Sequence, residues 1–161
     1  MYTPPEAVQY ILPFLPKNKI YWEACYGEWH FADELRRGGL EVVWHKDIDC
    51  LTSEPKENWD IWITNPPFNG NKKFIRRAIE LWKPFVFLIR LEHLGWVQAS
   101  ELFRDMFQYQ WGWQIIIPPK RTNVKPLLDR KETEPEANHK NVEQIRRYMY
   151  TFFYNDYYVL T

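Results

Sequence analysis

Apolar and polar positions along the chain follow two rhythms. Short apolar runs rich in β-branched and aromatic residues recur at KIYWEA (19–24), LEVVWH (40–45), DIWIT (60–64), PFVFLIRL (84–91) and WQIIIP (113–118), and YMYTFFYNDYYVL (148–160) holds one or two more. Runs of this length bounded by Gly, Pro, Asn or Asp read as strands. Helical spacing fills the gaps. Pro5 to about Leu12 forms the first helix, with Thr3 placed as an N-cap and proline at the first helical position. FADELRR (31–37) forms the second and stops at Gly38 and Gly39. From Gly70 to Trp82, residues Phe74, Ile75, Ala78, Ile79 and Trp82 fall on one helical face. Trp96 to Phe107 predicts another helix. PFVFLIRL is apolar without a break, as expected of a strand covered on both sides. Strands alternating with helices predict an α/β fold with a mainly parallel sheet. Only about a dozen residues, DIDCLTSEPKENW, separate the second strand from the third. That is too few for a helix–strand–helix insertion, so an edge strand of a typical nucleotide-binding sheet is expected to be missing there.

The 161 residues suit one domain over 1–161, with the polar, proline-containing and charge-rich segment 119–147 as an insertion or long loop. Hydrophobic residues make up 45% of the chain and aromatics 18%, which excludes a disordered polypeptide and places most rings in a core. Lys plus Arg equals Asp plus Glu, so any nucleic-acid contact must come from a local patch. Lys72, Lys73, Arg76 and Arg77 form one basic cluster, Lys120, Arg121 and Lys125 a second, and Arg146 and Arg147 a third; the plainer account of the first is a solvated helix face. Cys25 and Cys50 are too few and too far apart for a zinc cluster or disulfide framework. Four histidines without an H-E-x-x-H pattern give no metal site. His45 reads as a packed or edge histidine, while Glu92 and His93, after a buried strand, are candidates to line a site. The opening residues lack a basic leader region, and no apolar run approaches the ~20 residues that span a bilayer. The expectation is a soluble protein of the cytoplasm, or of the host-cell interior or nucleus if the source is viral.

The most informative stretch is DIWITNPPFNG (60–70), a strand that ends abruptly in Asn65, Pro66, Pro67 and Phe68. In open parallel sheets, ligands bind beyond the carboxyl ends of the strands. Two prolines fix their own backbone and carry no N–H, so their carbonyls are held rigidly. Asn65 adds a side-chain carbonyl and an amide donor, and Phe68 adds a flat face. This combination suits a planar group bearing an exocyclic amine: two acceptors take two N–H bonds while the ring stacks. Asn and Pro are also common in turns, and the β-patterned approach DIWIT is what lifts the stretch above an ordinary strand-ending turn.

DIWITNPPF resembles the catalytic motif of the S-adenosylmethionine-dependent N6-adenine DNA methyltransferases, with their N/D-P-P-F/Y/W signature. Three further segments fit that family in the right order: YTPPEAV (2–8), before the first strand; WEACYGEWHFADEL (22–35), similar to the E-P-x-x-G-x-G cofactor loop and its helix; and KPFVFLIRLEHL (83–94). The chain most resembles short phage-type members without a separate target-recognition domain. The resemblance implies a Rossmann-like methyltransferase sheet, mainly parallel with an antiparallel C-terminal strand. It implies S-adenosyl-L-methionine as cofactor, contacted by Tyr2, Thr3, Pro4, Glu23, Cys25, Gly27, Asp47, Asp49 and Asn65, with Glu23 near the methionine amino group. Asp47 and Asp49 are both candidates for the ribose and adenine contacts, and their roles exchange if the alignment shifts by two residues. Catalysis falls to Asn65, Pro66, Pro67 and Phe68: the Asn65 oxygen and the Pro66 carbonyl would localise the amine lone pair, and Phe68 would stack on a base flipped out of its helix. Lys72, Lys73, Arg76, Lys120 and Arg121 are the implied nucleic-acid contacts. Two positions depart from the pattern, Ala24 for the usual proline and Trp29 for the second glycine.

The implied activity is methyl transfer to the N6 amine of adenine in DNA. RNA adenine or another amino acceptor is the alternative within the same chemistry. A lapsed methyltransferase fold serving as a structural or regulatory module is the alternative outside it. A chain this small leaves target recognition to a partner subunit, an oligomer or the 119–147 segment.

Overall fold

A computed structural model describes residues 3–25, 30–45, 47–67, 71–90, 104, 112–116 and 148–154. The elements in chain order are α1 (Pro5–Ile11), a single 3-10 turn (Leu12–Phe14), β1 (Ile20–Glu23), α2 (His30–Arg37), β2 (Glu41–Trp44), β3 (Ile61–Thr64), α3 (Asn71–Leu81), β4 (Phe85–Arg90), β5 (Gly112–Ile116) and β6 (Tyr148–Tyr154). Predicted segments that lie outside the described residues are the helix 96–107 apart from Arg104, the segment 119–147, and the chain after Tyr154.

The strands form one six-stranded sheet in the order β2-β1-β3-β4-β6-β5. β1 pairs in parallel with β2 and β3, and β3 with β4. β6 runs antiparallel to both β4 and β5, so β5 points the same way as β4. The sheet is mainly parallel with an antiparallel last strand, as the sequence reading expects. Between β2 and β3 the described residues form turns rather than a strand or helix, with Thr52 N–H and Ser53 N–H both donating to the Asp49 carbonyl. β2 is therefore the edge on that side.

Both faces of the sheet are apolar, but they differ in kind. Tyr21, Ile61, Ile63, Val86 and Leu88 face α1 and α2, where Ala7, Val8, Ile11, Phe31, Ala32 and Leu35 cover them. Trp22, Trp62, Phe85, Phe87 and Ile89 face the other way, against Phe74, Ile75 and Ala78 of α3 and against Trp59. The period of two along each strand thus sorts β4 into alternate layers, which is why its sequence is continuously apolar. Trp22 stacks on Trp62 with centroids 5.1 Å apart, and Trp59 tilts against Trp22 at 5.0 Å.

Three local features differ from the sequence reading or sharpen it. Thr3 does not cap α1: the N-cap is Pro4, and no side chain caps the helix. Pro4 and Pro5 have no N–H to satisfy, and Ala7 N–H bonds to the Pro4 carbonyl at 3.0 Å, so little is left for a cap to do. Trp82 does not join the buried face of α3. It follows the helix with φ 55° and is 54% exposed, because the left-handed turn swings its side chain away from the sheet. At the end of α2, Gly39 has φ 85° and its N–H donates to the Arg36 carbonyl, while Leu40 N–H donates to the Leu35 carbonyl. This pair of bonds is a Schellman motif with glycine in its left-handed position.

Gly39→Ala is expected to lower unfolding stability by about 1–2 kcal/mol, the cost of a left-handed residue with a Cβ. Denaturant titration checks it; an unchanged midpoint would show that the turn relaxes.

Candidate active site

The chain leaves β1 in one direction to β2 and in the other to β3 and β4, so the order of strands reverses between β1 and β3. Ligands of open α/β sheets bind at such a reversal, beyond the carboxyl ends of the strands. Here the ends of β1 and β3 carry Glu23 and Thr64, with Asn65 following. All three are buried, although each is polar.

Glu23 and Thr64 form one hydrogen-bonded group with Cys25, and Asn65 forms a separate pair with Thr3. The Thr64 hydroxyl donates to Glu23 Oε1 at 2.9 Å. The backbone N–H of Cys25 donates to the same carboxylate oxygen at 3.1 Å and to Thr64 Oγ1 at 3.2 Å. Among the described residues no cation pairs with Glu23. Burial pushes its pKa up to about 7, against the opposing pull of the Thr64 and Cys25 hydrogen bonds. A carboxyl in this state gains most from a cationic ligand, which removes the cost of ionising it.

Asn65 is 6% exposed and Thr3 is 3% exposed. Asn65 Nδ2 donates to Thr3 Oγ1 at 2.9 Å. Asn65 Oδ1 is buried, and no described donor reaches it. A buried carbonyl oxygen left unpaired costs ~1–3 kcal/mol, so the site has a ready place for an N–H. Among the described residues, Trp62 Nε1 is the other buried side-chain polar atom without a partner. It belongs to a mid-strand residue packed against Phe74 under α3, whereas Asn65 stands beyond a strand end. Pro66 is buried and Pro67 exposed, so the rigid step begins inside and ends at the surface.

Of the residues singled out from the sequence, Glu23 and Cys25 share the group built on Thr64, and Thr3 and Asn65 form a second bonded pair, with Pro4 and Pro66 adjoining that pair in the chain. Cys25 turns its N–H inward to Glu23 and Thr64, and its thiol meets that of Cys50, which packs beside it under α3. Asp47 and Asp49 are exposed in the turn after β2. Asp49 Oδ1 accepts the Leu51 N–H at 3.0 Å, which commits that oxygen to shaping the turn. His45 Nε2 lies 2.9 Å from Glu57 Oε2, the edge pairing its position suggests. On α3, Lys73 and Arg76 are exposed and Lys72 half-buried. Arg77 is not part of that free basic face: it bonds to the Cys50 carbonyl at 3.4 Å and lies within 4 Å of Glu54 and Glu80. Tyr2, Gly27, Trp29, Phe68, Glu92, His93, Lys120, Arg121, Lys125, Arg146 and Arg147 lie outside the described residues. No group of three His, Cys, Asp or Glu is placed to hold a metal among the described residues, and no described helix is long and apolar enough to cross a membrane.

Sequence reasoning passed over Thr64. Its hydroxyl donates to Glu23, accepts from Cys25 and is fully buried. The available signal was a hydroxyl residue at the inner end of an otherwise apolar strand, directly before Asn-Pro-Pro.

No family model matches the chain, and no curated protein sequence matches it. Solved structures do. The 23S rRNA methyltransferase ErmE aligns with a TM-score of 0.59 at 14% identity, over 96% of this chain and 70% of that one. A release-factor-specific protein-(glutamine-N5) methyltransferase from Alicyclobacillus acidocaldarius aligns with a TM-score of 0.51 at 13% identity, over 94% and 88%. The likeness is one of fold: the sheet and its helices are those of a Rossmann-like methyltransferase.

Glu23 yields a pH prediction. Its folded pKa lies above the ordinary carboxylate value, so between about pH 4.5 and pH 7 the folded chain holds a proton that the unfolded chain has lost. Stability should therefore fall as pH rises through that window, by roughly 3 kcal/mol in all. Glu23→Gln should flatten this dependence. Denaturant unfolding at a series of pH values decides it, and an equal slope in the variant would remove Glu23 as its source.

Proposed function

We propose that this protein is an S-adenosylmethionine-dependent methyltransferase of the N6-adenine DNA type, acting on the exocyclic amine of adenine. One observation carries the reading: a buried, unpaired side-chain oxygen on Asn65, at the strand end where this fold type binds ligands, in a sequence that continues Pro-Pro-Phe.

The residues divide the work as follows. Asn65 Oδ1 accepts one N–H of the adenine amine, and the Pro66 carbonyl accepts the other. Both acceptors draw the nitrogen lone pair out of conjugation with the ring and make it a better nucleophile. Pro66 restricts Asn65 to extended backbone, and Pro67 does the same for Pro66, so the Pro66 carbonyl and the Asn65 main chain are held in place. Phe68 supplies the stacking face for a base turned out of its helix, at a cost of a few kcal/mol in lost stacking. Glu23 would hold the cofactor by its amino group, and its buried carboxyl without a described cation fits that charge. Asp47 and Asp49, in the turn after β2, would contact the cofactor's ribose and adenine. When bound, the cofactor supplies an activated methyl group as the electrophile. The basic face of α3, with Lys73 and Arg76 exposed and Lys72 half-buried, follows the Asn-Pro-Pro-Phe step in the chain and is the contact for phosphates.

RNA as the acceptor is the second reading, favoured by the structural likeness to a methyltransferase of 23S rRNA. Calorimetric titration with S-adenosylmethionine, followed by methyl mapping on DNA and RNA oligonucleotides, separates the possibilities. Binding with transfer to DNA adenine is expected. Transfer to RNA alone selects the second reading, and no binding at millimolar cofactor would leave only a structural or regulatory module.

Asn65→Ala should lower methyl transfer by at least about 10²-fold, the usual scale for deleting one buried catalytic hydrogen-bonding group, while the variant still binds cofactor. Unimpaired transfer would remove the role given to Asn65. For the nucleic-acid contact, Lys73→Gln and Arg76→Gln should each reduce the slope of log K against log salt by about 1. An unchanged slope in filter-binding or anisotropy titrations would clear α3 of phosphate contact.

A further inference from the structure

We propose that Thr3 is a positioning residue: its hydroxyl holds the Asn65 amide by the nitrogen end and so keeps the oxygen end turned toward the amine to be methylated. The inference rests on the reading of Asn65 as that amine's acceptor, and it explains how an ambiguous side chain is made to present one end only.

An asparagine amide has two ends of nearly equal size and opposite hydrogen-bonding character. The torsion that swaps them is broad and roughly two-fold, so nothing intrinsic to the side chain chooses. Pro66 restrains the Asn65 backbone but not this torsion. With its NH2 toward the substrate, Asn65 would set donor against donor. The structure holds Nδ2 in a 2.9 Å bond to Thr3 Oγ1, and Oδ1 is the end left over.

The partner comes from 62 residues away and is itself buried, 3% exposed. A hydroxyl just before a helix usually serves that helix. Here Pro4 and Pro5 carry no N–H, Ala7 N–H is bonded to the Pro4 carbonyl, and α1 has no side-chain cap. The hydroxyl is therefore free of helix duty. Ala7, Val8 and Ile11, all fully buried, fix α1 to the sheet, and this anchors the segment that carries Thr3. The Thr-Pro-Pro beginning and the Asn-Pro-Pro step are thus two rigid arms joined by one hydrogen bond.

The test compares wild type, Thr3→Val and Thr3→Ser by two readouts. The first is exchange of the Asn65 side-chain NH2 protons, followed by NMR on labelled protein without cofactor or substrate. Thr3→Val should speed this exchange by about tenfold, the worth of one net hydrogen bond, and Thr3→Ser should not. The second is steady-state transfer to an adenine oligonucleotide. Thr3→Val should lower kcat by about 10²-fold, the scale of a misplaced reacting group, with KM changed by no more than about threefold and Thr3→Ser close to wild type.

Unchanged exchange and kcat in Thr3→Val would overturn the proposal. Equal losses in folded Thr3→Ser and Thr3→Val would also overturn it, because the methyl group rather than the hydroxyl would then matter. If Thr3→Val does not fold, free-amide exchange at Asn65 in the wild type overturns the proposal by itself, and protected exchange there together with wild-type kcat in Thr3→Ser supports it. A wild type that transfers no methyl group but shows the exchange response would refute the methyltransferase reading and leave the hold on the amide standing.

Discussion

The hydrogen bond from the Thr64 hydroxyl to the Glu23 carboxyl joins the two strands between which the chain reverses its direction of travel across the sheet. It places an acid and a hydroxyl side by side at the carboxyl ends of β1 and β3, and the Cys25 N–H closes the group by bonding to both. Without it a carboxyl this deeply buried would have one fewer donor to offset its lost hydration. Asn65 stands one residue beyond Thr64, so the same bond also fixes the start of the rigid step. The acid and the amide therefore stand at the carboxyl ends of two neighbouring strands.

That arrangement keeps a buried carboxyl and a buried amide oxygen on separate hydrogen-bonding partners. Glu23 is suited to a positively charged group and Asn65 Oδ1 to an N–H of a neutral one. Each is kept in place by a hydroxyl from a different element, Thr64 for the acid and Thr3 for the amide.

The sheet was legible in the sequence because its faces are both apolar and its strands short: period-two sorting in Phe85 to Ile89 and the breaks at Gly39 and Asn65 mark the elements directly. Asn65 stood out because the whole N-P-P-F step follows a β-patterned run, and Glu23 was singled out only through the resemblance of WEACYGEW to a cofactor loop; what the structure adds is that both are buried. Thr64 was illegible, since threonine in a strand is ordinarily only a β-branched residue that packs well. Thr3 was assigned to the wrong partner, because capping is a local rule and the bond to Asn65 spans 62 residues. Trp82 was placed with the core by its spacing, but one left-handed residue redirected it. Asp47 and Asp49 could not be ranked by spacing; the structure shows one oxygen of Asp49 already engaged by Leu51.

The unequal make-up of the two layers has an optical consequence. Trp22, Trp59 and Trp62 lie in van der Waals range on the α3 side, with the Lys83 ammonium 3.8 Å from the Trp59 ring centroid, while the opposite layer is chiefly aliphatic. Indoles this near one another share their excited states, so their near-ultraviolet circular dichroism belongs to the cluster rather than to any single ring. The chain thus carries a built-in chromophore on one side of its sheet, able to report the loosening of that layer separately from the loss of the helices on the other.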